Sequence, residues 1–216
     1  MINVFIADDH GVIRDGLRAL LESHENLTVV GDAPDGREAV RAVRKLRPQV
    51  VIMDISMQEL NGIEATEQIC QTCPDTKVIM LSIYATPEYV YRALHAGAKG
   101  YLLKESAGRE VISAVLAVAN GRRYLSQKIS EAVLDDYISH RSGKDVQNPV
   151  DRLSKREREI LQLIAEGKSN GEIARKLFLS QKTVETYRYR LMQKLGINDV
   201  PGLVKFALQH GLATLE

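Results

Sequence analysis

Asp8, Asp9, Asp54, Ser82 and Lys104 each stand at or just after the end of a short apolar run rich in β-branched residues. Brought together, they make a definite chemistry. Clustered carboxylates stay ionised cheaply only beside a hard cation, and oxygen-only ligands with open positions suit Mg2+. Asp54 is then placed to attack a phosphoryl group and hold it as an acyl phosphate. Transfer of that kind needs positioning and charge neutralisation more than acid-base work, and the Lys104 ammonium and Ser82 hydroxyl supply both.

The elements that must converge these residues are legible as alternating periods. Strands are expected at Ile2–Asp8, Leu27–Asp32, Val50–Asp54, Val78–Ser82 and Gly100–Lys104. Between and after them lie helices near 11–24, 35–47, 62–72, 87–96 and 108–120. In the first, Val12, Ile13, Leu17, Leu20 and Leu21 form the core stripe, while Arg14, Asp15, Arg18 and Glu22 face water. Five successive β-α units imply a doubly wound α/β fold with a five-stranded parallel sheet covered on both faces. In such a sheet the carboxyl ends of the strands form the binding crevice at the topological switch point, where residues distant in sequence meet.

With Asp8-Asp9, Asp54, Asn61-Gly62, Ser82, Gly100-Tyr101 and Lys104, residues 1–120 resemble a two-component receiver domain of flavodoxin-like fold. The resemblance implies that Asp54 is the phosphoacceptor and that Asp9, Asp54 and the Ser56 backbone carbonyl hold Mg2+, with Asp8 assisting. It implies further that Ser82 and Lys104 grip the phosphoryl oxygens and that Tyr101 is the aromatic that turns inward when Ser82 moves. The donor implied is a sensor histidine kinase. Gln58 and Glu105 depart from prolines common in the family. Tyr84, two residues beyond Ser82, is placed to overhang the acyl phosphate and slow its hydrolysis.

The chain carries 29 Lys/Arg against 28 Asp/Glu, but unevenly. Residues 1–140 hold 15 basic and 19 acidic side chains, and residues 141–216 hold 14 and 9, so only the back half suits a polyanion. Residues 126–140 read as one further helix, and HRSGKDVQNPVDR after it is almost without apolar residues and marks a boundary. The expected organisation is 1–122, a linker with helix at 123–149, and a second domain at 150–216.

Four helices are expected in that second domain, at 154–166, 171–178, 181–195 and 200–210, with Ser154, Ser169 or Asn170, and Ser180 as N-caps and Gly167, Gly196 and Gly211 as terminators. Residues 171–190 read as helix, turn and second helix. Val184, Tyr187, Leu191 and Leu195 face inward; Lys182, Thr183, Glu185, Thr186, Tyr189, Arg190 and Gln193 face outward or flank that face, mixing hydroxyl, amide and cationic groups suited to base edges and phosphates. Arg188 lies near the core side and is expected to reach a phosphate or pair with Glu157 or Glu159.

The stretch from Leu153 to Ile197 is similar throughout to the LuxR-type helix-turn-helix of NarL/FixJ response regulators. That resemblance implies an all-α four-helix domain, homodimeric on double-stranded promoter DNA, with RNA polymerase a further partner it allows. No apolar run is long enough to span a membrane and the N-terminus lacks a signal-peptide pattern, so a cytoplasmic location is expected. The lone pair Cys70 and Cys73 is expected to pack rather than bind metal. A turnover phosphatase is disfavoured, because Asp54-Ile55-Ser56 lacks a second carboxylate two residues on. The expected chemistry is limited to self-phosphorylation and slow autodephosphorylation.

Overall fold

A computed structural model describes residues 1–140 and 149–213; part of the expected linker, 141–148, and the last three positions lie outside the described residues. The chain divides into two compact units, Met1–Gly143 and Lys144–Glu216.

In the first unit β1 (Ile2–Ala7), α1 (Gly11–Glu22), β2 (Leu27–Ala33), α2 (Gly36–Leu46), β3 (Val50–Asp54) and α3 (Gly62–Thr72) alternate. They are followed by β4 (Lys77–Ser82), α4 (Pro87–His95), β5 (Gly100–Leu103), α5 (Ala107–Ala119), β6 (Tyr124–Leu125) and α6 (Gln127–His140). All strands run parallel in the order β2-β1-β3-β4-β5-β6. Among the described residues the sheet thus carries the five expected strands and a short sixth. A two-residue strand is too short to show a period, and β6 exists because its backbone pairs with Gly100 and Tyr101.

Alternation along the strands sends Phe5, Ala7, Val51 and Met53 to one face and Val4, Ile6, Val50 and Ile52 to the other. The first face is closed by residues of α2, α3 and α4 and by Ile129 of α6, the second by α1 and α5. Val12 does not belong to the core stripe of α1, since it is 84% exposed. At 100° per residue it lies about 180° round the helix from the fully buried Leu21. Arg14 and Arg18 do not simply face water either: both reach Asp32 at the end of β2. Cys73 is buried and Cys70 packs against the same core.

Among its described residues the second unit contains a 3-10 turn at Pro149–Arg152 and four helices, α7 (Lys155–Ala165), α8 (Asn170–Leu177), α9 (Gln181–Leu195) and α10 (Val200–Gln209). Ser154, Ser169 and Ser180 cap three of them, the first two in reciprocal boxes with Glu157 and Glu172. Its core joins Ile160 and Leu163 of α7, Ile173 and Leu177 of α8, Val184 and Leu191 of α9, and Leu203 and Ala207 of α10. Among the described residues no helix is long and apolar enough to cross a membrane.

Candidate phosphoacceptor site and recognition helix

The strand order places β2 on one side of β1 and β3 on the other, so the chain reverses direction across the sheet between β1 and β3. Asp8 and Asp9 leave β1 at that crevice and Asp54 ends β3. Asp8 is fully buried and Asp54 is 1% exposed. Lys104, just beyond β5, sets its ammonium 2.8 Å from Asp8 Oδ2 and 2.9 Å from Asp54 Oδ2. Burial first, and then the negative charge of Asp8, push the Asp54 carboxyl up to about 6 against the pull of Lys104 and the Ser56 backbone hydrogen bond. Burial works against the Lys104 ammonium, yet the two carboxylates outweigh it and hold its pKa above the ordinary lysine value.

The loop after Asp54 is shaped by glycine. A Cβ on Gly62 would stand 1.9 Å from the Asp54 carbonyl oxygen, and one on Gly36 would stand 2.1 Å from that of Leu60. Gly62 opens α3 directly beneath the acceptor, its N–H donating to the Ile55 carbonyl at 2.9 Å, while the Asn61 side chain caps the helix by accepting from the Glu64 N–H. The turn at 58–60 places Glu59 at φ 66°.

Arg14 was not singled out as a site residue. Its guanidinium donates to the Asp8 carbonyl at 2.7 Å and to Asp32 at 2.9 Å, which pins the backbone carrying both acidic residues. Its signal in the sequence was the pairing of cations on α1 with the carboxylate that ends β2. His10 was missed too: with Asp8, Asp9 and Asp54 it forms a group whose ligand atoms all lie within 4.8 Å of one another.

Asp9 Oδ1 is buried without a hydrogen-bond donor among the described residues, and Asp8 Oδ2, buried beside it, meets the Lys104 ammonium. Buried carboxylate oxygens left over in this way are what a hard divalent cation requires. The residues present therefore fit the ion.

Ser82 ends β4 and accepts the Tyr84 backbone N–H at 2.9 Å. Tyr101 is fully buried and donates its hydroxyl to the Tyr84 carbonyl at 2.8 Å. Both polar groups of the Tyr84 peptide are thus held, one by Ser82 and the other by Tyr101. The Tyr84 ring stacks on Tyr89 of α4, with centroids 4.5 Å apart and planes inclined by 10°. On the same helix Tyr91 donates to Asp136 of α6 at 3.0 Å. Sequence reasoning named Ser82, Tyr101 and Tyr84, the last for a place over the acyl phosphate, but did not see that the Tyr84 peptide joins the other two.

On α9, Lys182, Glu185, Thr186, Tyr189, Arg190 and Gln193 are exposed, and Thr183 is half-buried because its hydroxyl lies 2.8 Å from that of the N-cap Ser180. Ser180, Lys182, Thr183, Thr186, Tyr187 and Arg190 line one shallow groove. Tyr187 both packs on the core and edges that groove. Glu157 is paired with Lys194 at 2.7 Å and Glu159 with Arg156 at 2.8 Å. Among the described residues neither pairs with Arg188, because Lys194 reaches Glu157 from the last turn of α9.

A parallel sheet with this crevice, followed by a helix-turn-helix unit, defines a phosphoacceptor domain joined to a DNA-binding domain. Residues 4–116 match the family of response regulator receiver domains, and residues 151–207 match the bacterial regulatory proteins of the luxR family. The chain belongs to the two-component response regulators of the NarL/FixJ type, which are transcription regulators rather than enzymes. It is 41% identical over 215 residues to the oxygen regulatory protein NreC of Staphylococcus carnosus, covering 98% of this chain and 99% of that one. It is also similar to RcsB from Salmonella enterica serovar Typhimurium bound to promoter rprA with a beryllofluoride phosphomimetic, with TM-score 0.62 and 30% identity, covering 95% of this chain and 97% of that one. A structure of two RcsB dimers on two parallel DNAs gives TM-score 0.59 at 30% identity, with 97% and 98% covered.

Proposed function

We propose that this response regulator takes a phosphoryl group from the phosphohistidine of a sensor kinase onto Asp54 and thereby changes its binding to specific promoter DNA. The observation that carries the reading is the Lys104 ammonium bridging the buried carboxylates of Asp8 and Asp54 at 2.8 and 2.9 Å. Residues 1–122 act as receiver and 150–216 as DNA-binding domain, joined through 123–149.

Asp9, Asp54 and the Ser56 backbone carbonyl, with Asp8 assisting, would hold Mg2+, which would neutralise the phosphoryl charge. An Asp54 carboxylate oxygen attacks phosphorus as the P–N bond to the kinase histidine breaks. Lys104 pairs with the phosphoryl oxygens that arrive. The Ser82 hydroxyl accepts from the Tyr84 N–H and hydrogen-bonds the Tyr101 hydroxyl, and its proton can turn from Tyr101 to one of those oxygens. Any shift of Ser82 toward the phosphoryl group pulls on the Tyr84 peptide that Tyr101 also holds, and the Tyr84–Tyr89 stack carries the strain to α4 and the Tyr91–Asp136 bond to α6.

In the second unit, Lys182 and Arg190 meet phosphates or base edges, and Thr183, Glu185, Thr186, Tyr189 and Gln193 present the rest of the reading face in the major groove. The RcsB dimers on DNA support a homodimer as the bound form, and the family supports a cytoplasmic location; RNA polymerase is a further contact this reading allows.

The test is DNA binding and molecular mass on a promoter library, with and without Mg2+ and beryllofluoride, beside Asp54→Ala. A gain in specific binding together with dimer formation, lost in Asp54→Ala, is expected. Binding indifferent to both additions overturns the reading.

A further inference from the structure

His10 brings an imidazole to the rim of the acidic crevice. The His10 backbone N–H donates to Asp8 Oδ1 at 2.9 Å, which fixes the residue at the rim of the crevice. Its imidazole Nδ1 comes to 2.5 Å from Asp9 Oδ1 and 3.3 Å from Asp8 Oδ1. The close pair with Asp9 is not aligned as a hydrogen bond, and Asp9 Oδ1 stays buried without a hydrogen-bond donor among the described residues. Paired in this way, His10 Nδ1 and Asp9 Oδ1 both lie within reach of a cation that enters the crevice beside Asp8 and Asp54.

We propose that His10 is an inner-sphere ligand of the cation bound in this crevice, and that it tilts the site from an oxygen-only Mg2+ centre toward first-row transition ions such as Mn2+. The inference rests on the phosphoacceptor reading and deepens it. With metal–ligand bonds of about 2.1 Å, donors on opposite sides of one ion lie about 4.2 Å apart. The spread of up to 4.8 Å among Asp8, Asp9, His10 and Asp54 is therefore close to a single coordination sphere. Mg2+ gains little from imidazole, because it is a hard ion that keeps its waters. Imidazole suits the later first-row ions best, and Mn2+, though oxygen-loving like Mg2+, accepts a nitrogen ligand more readily than Mg2+ does, so one such ligand among carboxylates changes the ratio of affinities more than it changes Mg2+ binding itself. The His10 side chain is 66% exposed, so it is replaceable without disturbing the core.

The full chain and its His10→Ala variant are titrated with Mn2+ by electron paramagnetic resonance, and Mg2+ affinity is read by competition. Loss of His10 is expected to weaken Mn2+ roughly tenfold, the scale on which a lost ligand-shell partner acts, while Mg2+ changes by less than about twofold. Pulsed measurement on bound Mn2+ is expected to show a coupled imidazole nitrogen that vanishes in His10→Ala. Equal changes for both ions, or bound Mn2+ without nitrogen coupling, overturn the role of His10 and leave the phosphoacceptor site standing. Failure of the wild-type chain to bind either ion overturns both.

Discussion

The hydroxyl of Tyr101 donates to the backbone carbonyl of Tyr84 at 2.8 Å, and the N–H of that same residue is held by Ser82. One peptide unit thus ties the end of β4 to the buried aromatic of β5, beside the direct hydrogen bond between Ser82 and Tyr101. Tyr101→Phe removes the donor and keeps the ring. Losing this hydrogen bond is expected to cost about 1 kcal/mol in urea unfolding. Labelling of Asp54 by acetyl phosphate should continue, while the gain in DNA binding on beryllofluoride treatment falls. An undiminished gain would show that the Tyr101–Tyr84 bond takes no part in the coupling.

Asp54 gives the fold a pH dependence of definite sign. Its pKa is raised in the folded chain to about 6 from an ordinary 3.8, so the folded state holds its proton more tightly than the unfolded one. The contribution to stability is complete below the unfolded value and is lost as pH rises through about 6. In metal-free buffer, Asp54→Asn should therefore be more stable than the wild type by roughly 2 kcal/mol at pH 7.5, with the gap closing near pH 4. Denaturant titrations at the two pH values check this, and a gap that widens toward acid would contradict it.

Gly62 is required by space rather than by backbone angle. The Cβ of Gly62→Ala would stand 1.9 Å from the Asp54 carbonyl oxygen, so either α3 or the end of β3 must move. A destabilisation of about 3 kcal/mol is expected, as for other overpacked core sites, with slowed acetyl phosphate labelling in the fraction that folds. Gly108→Ala serves as control, since nothing lies within 4 Å of its added Cβ.

On α9, Lys182 is exposed in the first turn and edges the groove that Thr186 and Arg190 also line. Lys182→Ala is expected to weaken specific and non-specific DNA to a similar degree and to lower the salt dependence by about one counterion. Thr186→Ala should change the preferred sequence more than the salt slope. Fluorescence anisotropy at several salt concentrations separates the two patterns. Loss of sequence preference in Lys182→Ala alone would move that residue from phosphate to base contact.

Much of the molecule was legible in the chain because its periods are strong. The starts of β3 and α9 coincide with the expected residues, and serine caps with glycine terminators mark the helices of the second unit. Errors fell where a local pattern was blind to the partner. Val12 was assigned to the core by its type, yet its angular position on α1 turns it to solvent. Arg14 and Arg18 read as solvated charges until Asp32, supplied by β2, gave them a partner. The sixth strand has no period of its own and forms only against β5.

By itself the sequence determined which groups were available: three carboxylates, a hydroxyl and an ammonium at the ends of apolar runs, and an outward polar face on one helix of the basic half. Those follow from side-chain chemistry and from periods of two and 3.6 residues, which are local properties. Only the tertiary structure decided distances and partners. Lys104 bridges Asp8 and Asp54, and Tyr101 holds the Tyr84 carbonyl, because strands distant in sequence lie side by side in the sheet. Contacts of that kind are set by long-range packing, and no window along the chain contains both of their ends.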